Sequence, residues 1–296
     1  MADDWDPFAD PAADAPPAEV PAATEEAAAP AAIEVVESAK PGPEIEVEIR
    51  DGIKGLSTLP PKGKVQLLVL MLGGNPEPSF GSATMRLPIL EECAKALEAK
   101  GLFHLRFDYA PYGASAGACT KQELASGQKS TPLELDMKRD IVTVGRWAAQ
   151  RCDALIVLGY SGGINCCLRT YSDWSKGKVK YMFAVSPGQE VWKWIGTFGD
   201  LMTPEKEIIK KDMYDTHIEA TLPIKYIVGS KDKMTPLAGL KTLLMKRSDF
   251  FENVEVQTVE GGDHSMKGKE EEVAALAAEW LAERAARLQS GPAESM

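Results

Sequence analysis

The sequence predicts an α/β fold: a mostly parallel β-sheet with helices on both faces, and a small helical cap inserted at 188–223. Three observations predict it. Short apolar runs of strand length alternate with helix-period patterns over about 240 residues. The run Val65 to Leu72, VQLLVLML, is almost wholly apolar, as expected of a parallel strand covered on both faces. The stretch 1–43 is built from Ala, Pro and acid and takes no part in the pattern.

Taken in order, the elements read as follows. Glu44 to Arg50 alternates Ile and Val with charge, the pattern of a half-buried edge strand. After the apolar run at 65–72, Leu90, Cys93, Ala94 and Leu97 recur at helical spacing, and Gly101 stops that helix. Leu102 to Tyr109 reads as the next strand. Asp136 to Gln150 is a helix with Ile141, Val144, Trp147 and Ala148 on one face. Ala154 to Leu158 is a strand, and a helix follows from Gly162. Val179 to Val185, Ile224 to Val228 and Asn253 to Val259 are further strands, and the closing helix lines up Val273, Leu276, Ala277, Trp280 and Leu281. The folded domain is expected over 44–289, with a flexible 290–296 behind it. No internal repeat is visible.

The formal net charge of −11 is concentrated at one end. Residues 1–43 carry ten acidic side chains against Lys40; removing them from the totals of 44 and 33 leaves 34 acidic and 32 basic residues. The remainder is nearly neutral, which argues against a nucleic-acid surface, since that needs a clustered basic patch. The tail itself has too few large apolar residues to offset its ordering entropy and is expected to be disordered. Five cysteines with no C-x-x-C spacing read as structural thiols of a reducing compartment. No stretch approaches the roughly 18 apolar residues of a membrane span, and the N-terminus resembles neither a secretory signal nor a transit peptide. Cytoplasm is the expected location.

The chemistry-bearing residues follow strands. Gly159-Tyr160-Ser161-Gly162-Gly163 matches G-x-S-x-G between a predicted strand and a predicted helix. In that cramped turn the glycines avoid clashes and the serine hydroxyl is pushed up from the sheet. The helix start and the Gly162 N–H then face a developing oxyanion. A serine needs a base, because its alkoxide is inaccessible at neutral pH. Of three histidines, His104 lies within a strand and suits a core or sheet-face role, and His217 lies in the irregular insert and suits a solvated or lid position. His264, in Gly261-Gly262-Asp263-His264-Ser265, directly follows the last strand and is the candidate base. Asp232, in the loop Gly229 to Pro236 after the preceding strand, is the candidate acid that orients it; Asp263 competes, but adjacency to His264 points its side chain elsewhere. The second oxyanion donor should come from the loop Gly73 to Pro78, with the N–H of Gly74 or Asn75 as candidates.

These residues carry a resemblance. From about Val65 to Leu288 the chain resembles the alpha/beta-hydrolase superfamily, and more narrowly the small bacterial-type hydrolases related to dienelactone hydrolases and acyl-peptidase domains. The matching pieces are Asn75-Pro76-Glu77-Pro78 with Phe80-Gly81 and Thr84-Met85, then Arg106-Phe107-Asp108-Tyr109 running to Gly113, Ser115 and Gly117. Gly159–Gly163, Gly229–Pro236 and Gly262-Asp263-His264 complete the set. The resemblance implies the alpha/beta-hydrolase fold, with Ser161 as nucleophile, Asp232 as triad acid and His264 as base. One departure stands out: relatives usually carry histidine in the oxyanion loop, where this chain has Leu72-Gly73-Gly74 and Glu77.

The expected activity is hydrolysis of a carboxylic ester or thioester through an acyl-Ser161 intermediate, on a small-molecule acyl substrate. It requires no metal and no organic cofactor. Tyr160, Trp192 and Trp194 are candidate substrate contacts, the two tryptophans within an aromatic-rich insert that could wall an acyl pocket or simply pack on the sheet. Two alternatives stand beside it: cleavage of a peptide or amide, and a catalytically weak domain that serves as a binding or scaffold module. In the tail, Asp6-Pro7-Phe8 is similar to short peptides that dock on endocytic adaptor appendages, which makes the tail a candidate for meeting a protein partner; the alternative reading of these three residues is a solvated tail.

Overall fold

The computed structural model describes residues 40–50, 52–74, 84–110, 112–115, 133–188 (side chains from 137), 217 and 220–290. The acidic tail, most of the 188–223 insert, Asn75, Trp192 and Trp194 lie outside the described residues.

Among the described residues, eight strands form one sheet: β1 (Ile45–Glu48), β2 (Lys54–Ser57), β3 (Val65–Leu72), β4 (His104–Phe107), β5 (Cys152–Tyr160), β6 (Val179–Val185), β7 (Ile224–Gly229) and β8 (Val254–Val259). Their order across the sheet is β1-β2-β4-β3-β5-β6-β7-β8. β1–β2 and β2–β4 are antiparallel and the rest are parallel. The expected mostly parallel sheet is therefore present, with β1 at one edge. The short strand β2 carries no alternation to mark it. It exists because its backbone pairs on both sides, with β1 from Ile45↔Ser57 to Glu48↔Lys54 and with β4 from Gly55↔Phe107 to Ser57↔Leu105.

Helices cover both faces, and the alternation of side chains along β3 shows how. Leu68, Leu70 and Leu72 point to the side occupied by α2 (Leu133–Gln150) and α3 (Gly162–Leu168), where Ile141, Val144, Ala148 and Ile164 join them in one core. Leu67, Val69 and Met71 point the other way. There α1 (Pro88–Ala99) contributes Leu90, Cys93, Ala94 and Leu97, and the closing helix (Glu270–Gln289) contributes Val273, Ala277, Trp280 and Leu281. Trp147, read as part of the α2 core face, is only half-buried, and the Arg151 guanidinium lies over its ring at 3.7 Å. Pro88 sits in the first turn of α1, where its fixed φ and missing N–H cost nothing. Cys93, Cys152, Cys166 and Cys167 are buried and free. Burial pushes the thiols of Cys93, Cys152 and Cys166 up to about 12, so they are inert at neutral pH.

His104 is fully buried in β4, as expected of a strand histidine, and its Nε2 lies 2.9 Å from Glu44 Oε1. Arg106, two residues on and 4% exposed, grips both oxygens of the same carboxylate, Nε at 2.8 Å and Nη2 at 2.6 Å. Glu44, Glu98 and His104 are close enough to hold a metal ion, but the two-pronged Arg106 pairing already neutralises Glu44. This cluster staples the start of β1 to β4. Burial alone would push the Glu44 carboxyl up; the hydrogen bonds and charges of Arg106 and His104 outweigh it and hold it at about 2. Its stabilisation is thus present above the unfolded carboxylate value and lost as pH falls from there towards 2. Arg106→Met should lower unfolding stability by about 3 kcal/mol at neutral pH. Urea titrations at pH 7 and pH 3 should show the gap between variant and wild type narrowing in acid.

Candidate active site

Register brings the carboxyl ends of the central strands to one rim. Leu72 is level with Gly159, Tyr160 with Val185, and Gly229 with Val259. Ser161 follows β5 at φ 50° and ψ −127°, a conformation that side chains rarely adopt, and is 7% exposed. Such strain costs of order 1–3 kcal/mol and persists where the surroundings impose it. Here the Ser161 N–H donates to Val185 O at 2.9 Å, and α3 begins at the next residue. Ser186, directly after β6, and Met266, two residues beyond His264, also have positive φ, so three of the four described non-glycine residues in that region lie near this rim.

The rim is crowded enough to need glycine. A methyl on Gly163 would overlap the Gly73 carbonyl oxygen, so the crossing of the β3 loop over α3 requires a bare Cα there. Gly74 lies against Ser161 itself: an added Cβ would stand 3.2 Å from Ser161 Cβ and 3.0 Å from the Tyr160 ring. As first residue of α3, Gly162 has no intrahelical acceptor for its N–H, leaving that donor at the positive end of the helix.

Two further loops meet beside Ser161. Gly229 and Gly262 touch backbone to backbone, with Gly229 Cα 3.2 Å from where a Gly262 Cβ would be. Lys231 N–H donates to Gly262 O at 2.8 Å and Ser230 N–H to Val259 O at 2.9 Å. This brings Asp232 next to His264. His264 Nδ1 lies 3.1 and 3.2 Å from the two Asp232 oxygens, and its Nε2 lies 2.9 Å from Ser161 Oγ. Asp232 Oδ1 also accepts from the N–H groups of Met234 at 2.8 Å and Thr235 at 2.9 Å. Burial pushes the Asp232 carboxyl up, but the His264 hydrogen bond and charge, with the Thr235 and Met234 N–H groups, prevail and hold it below its ordinary value. A carboxylate that stays ionised fixes the imidazole with its proton on Nδ1 and the Nε2 lone pair towards the serine. That arrangement can remove a proton from Oγ as it attacks. Asp263 points away, accepting from Ser265 Oγ at 2.7 Å.

Of the other sequence-named residues, Gly162 and Gly74 flank Ser161, while Asn75, Trp192 and Trp194 lie outside the described residues. Tyr160 differs from its expected substrate-facing role. It is 4% exposed and its hydroxyl donates to His264 O at 3.1 Å, so it props the His264 loop from below. The reason is the β-strand alternation: Tyr160 shares the face of Ile156 and Leu158 and points into the core.

His217 corrects a second expectation. It is not solvated but 2% exposed, its Nε2 2.8 Å from Asn165 Oδ1 and its Nδ1 3.0 Å from Tyr226 Oη. Because an amide oxygen only accepts, Nε2 carries the proton and Nδ1 accepts from the tyrosine hydroxyl. Asn165 Nδ2 in turn donates to Pro187 O at 2.5 Å, so this buried chain ties the end of the insert to α3. Burial, with the Arg247 charge nearby, holds the imidazole down at about 4. The unfolded chain binds a proton near pH 6.5 that the folded chain refuses until about 4, so stability should fall as pH drops through that window. His217→Gln should flatten this dependence, measured as the urea midpoint between pH 7 and pH 4.5.

No helix among the described residues is long and apolar enough to cross a membrane. No protein-family model matches the sequence, and a search of curated proteins gives no match. Solved structures do match. An alpha-beta serine hydrolase homologue from Coxiella burnetii is 18% identical, with a TM-score of 0.57 over 83% of this chain and 100% of that one. Est1E from Butyrivibrio proteoclasticus, with ferulic acid bound, is 16% identical, with a TM-score of 0.60 over 82% and 100%. Dienelactone hydrolase from Anabaena variabilis is 18% identical, with a TM-score of 0.56 over 82% and 98%. This mostly parallel sheet with its covering helices superposes on these neighbours over more than four fifths of the chain, and the chain has the fold of the alpha/beta-hydrolase superfamily.

Proposed function

We propose that this protein is a serine hydrolase that cleaves a carboxylic ester or thioester by way of an acyl-Ser161 intermediate. The observation that carries the proposal is the unbroken relay from Ser161 Oγ through His264 to Asp232, at 2.9 Å and then 3.1 Å, on a serine held at positive φ. The neighbours named as hydrolases support the same reaction class.

In this reading Ser161 Oγ attacks the substrate carbonyl carbon while its proton passes to His264 Nε2. The carbonyl oxygen becomes an oxyanion held by the Gly162 N–H and by the N–H of Gly74 or Asn75. Collapse expels the leaving group, which takes the proton from Nε2, and leaves the acyl-serine. Water then repeats the sequence with His264 as base, releasing the acid and restoring Ser161. Asp232 offsets the imidazolium charge in both halves.

The test is a panel of short- and long-chain esters, thioesters and aminoacyl amides, with intact-mass detection of the acyl-enzyme and fluorophosphonate labelling. Turnover of esters or thioesters with one acyl group on the Ser161 peptide supports the proposal. A folded protein that neither labels nor turns over any member of the panel refutes it, and preference for the amides moves the activity to peptide or amide cleavage.

A further inference from the structure

The loop from Gly73 to Met85 carries the second proposed oxyanion donor, and consecutive residues of one neighbouring strand end hold both of its ends. At its entry, Tyr109 Oη donates to Gly73 O at 3.1 Å. At its exit, Asp108 Oδ1 accepts from the Met85 N–H at 2.5 Å, and Arg106 Nη1 donates to Met85 O at 2.6 Å. Tyr109 and Asp108 are each 2% exposed. Both are themselves braced. The Tyr109 ring packs edge-on against Phe107 at 4.9 Å, Asp108 Oδ2 accepts from the Ala114 N–H at 2.7 Å, and Asp108 O accepts from Ser115 Oγ at 2.8 Å.

The entry contact has a consequence for chemistry. A trans peptide is planar, so the C=O of Gly73 and the N–H of Gly74 point in opposite directions. Holding the oxygen therefore holds the plane, and with it the direction of the Gly74 N–H. Gly74 itself rests against Ser161 Cβ. Glycines on both sides of this peptide would otherwise let it rotate freely.

We infer that Tyr109 is a positioning residue for the Gly74 oxyanion donor: its hydroxyl fixes the Gly73–Gly74 peptide, while Asp108 holds Met85 at the other end of the same loop. The inference rests on the hydrolase reading above and names the device that aims its second donor. Tyr109 touches no reacting atom. Its effect belongs to the transition state, because a donor that swings away weakens binding of the oxyanion much more than binding of the neutral ester.

Tyr109→Phe removes the hydroxyl and keeps the packed ring. The expected result is a fall in kcat of roughly tenfold to a hundredfold with KM nearly unchanged. A boronic acid that forms a tetrahedral adduct on Ser161 should lose affinity in the same proportion as kcat, whereas a purely structural role would not link the two. Asp108→Asn, which alters the exit clamp instead, should give the same linked loss in a smaller degree, and it serves where Tyr109→Phe does not fold. Folding of each variant is checked by urea titration. Wild-type rates in a folded Tyr109→Phe protein, or a loss confined to KM, overturn the inference while leaving the hydrolase reading intact. A wild-type protein that neither labels with fluorophosphonate nor turns over any ester removes the foundation of both.

Discussion

Ser161→Ala is expected to lower kcat on an activated ester by roughly 10⁶-fold and to abolish fluorophosphonate labelling. The size of the effect follows from what remains. Without Oγ there is no nucleophile to acylate, and what is left are the N–H donors and substrate binding, which by themselves supply roughly 10³-fold to 10⁴-fold over water. Stability should change by less than about 1 kcal/mol, because the deletion leaves only the His264 Nε2 without its partner and that imidazole is partly exposed. Stopped-flow ester hydrolysis, with a urea titration of the same preparation, measures both quantities. Retention of a large fraction of wild-type turnover would show that a different group attacks.

Asp232→Asn is expected to cost roughly 10⁴-fold in kcat, through a proton in the wrong place. Asp232 Oδ1 accepts from the Met234 and Thr235 N–H groups, and both oxygens face His264 Nδ1. An asparagine can keep its single oxygen on the two backbone donors only by turning its NH₂ towards the imidazole. Nδ1 must then accept, the ring proton moves to Nε2, and Nε2 can no longer take the proton of Ser161. The variant should therefore fold and bind substrate with KM little changed. The pH dependence of stability gives a second readout. The Asp232 carboxyl is held below its ordinary value, burial being outweighed by His264 and the two N–H groups. What it contributes is present above about 3.9 and lost as pH falls through the lower folded value. Asp232→Asn should lack that acid-side loss. Equal acid sensitivity in variant and wild type would mean that the carboxylate carries no such linkage.

Much of the architecture was legible in the sequence because burial on both faces leaves a plain mark. Strands β3, β5, β6 and β7 are runs of apolar residues, and helices α1 and the closing helix show one apolar stripe each. Strand β2 was not legible: Lys54-Gly55-Leu56-Ser57 has no period, and only the neighbouring β1 and β4 backbones make it a strand. The positions of Ser161, Asp232 and His264 could be named because each stands in a loop just beyond a recognisable strand, and the fold gathers those loops at one rim. The surroundings of Tyr160 and His217 were not legible for one shared reason. Both carry polar tips on large rings, and what such a tip meets depends on residues distant in the chain, here His264 O for one and Asn165 with Tyr226 for the other. The Tyr109 contact with Gly73 has no sequence mark beyond its place in Arg106-Phe107-Asp108-Tyr109.

By itself, then, the sequence determined the fold class, the order of elements and which loops bear a hydroxyl, a carboxylate and an imidazole, since periodicity and turn chemistry are local properties of the chain. Only the tertiary structure decided the distances among those groups, the tautomer of His217 and the clamping of the Gly73–Met85 loop by β4's end. Those depend on groups that are between 9 and 104 residues apart, and their meeting is set by strand register and by glycine-sized gaps between backbones, which no local pattern records.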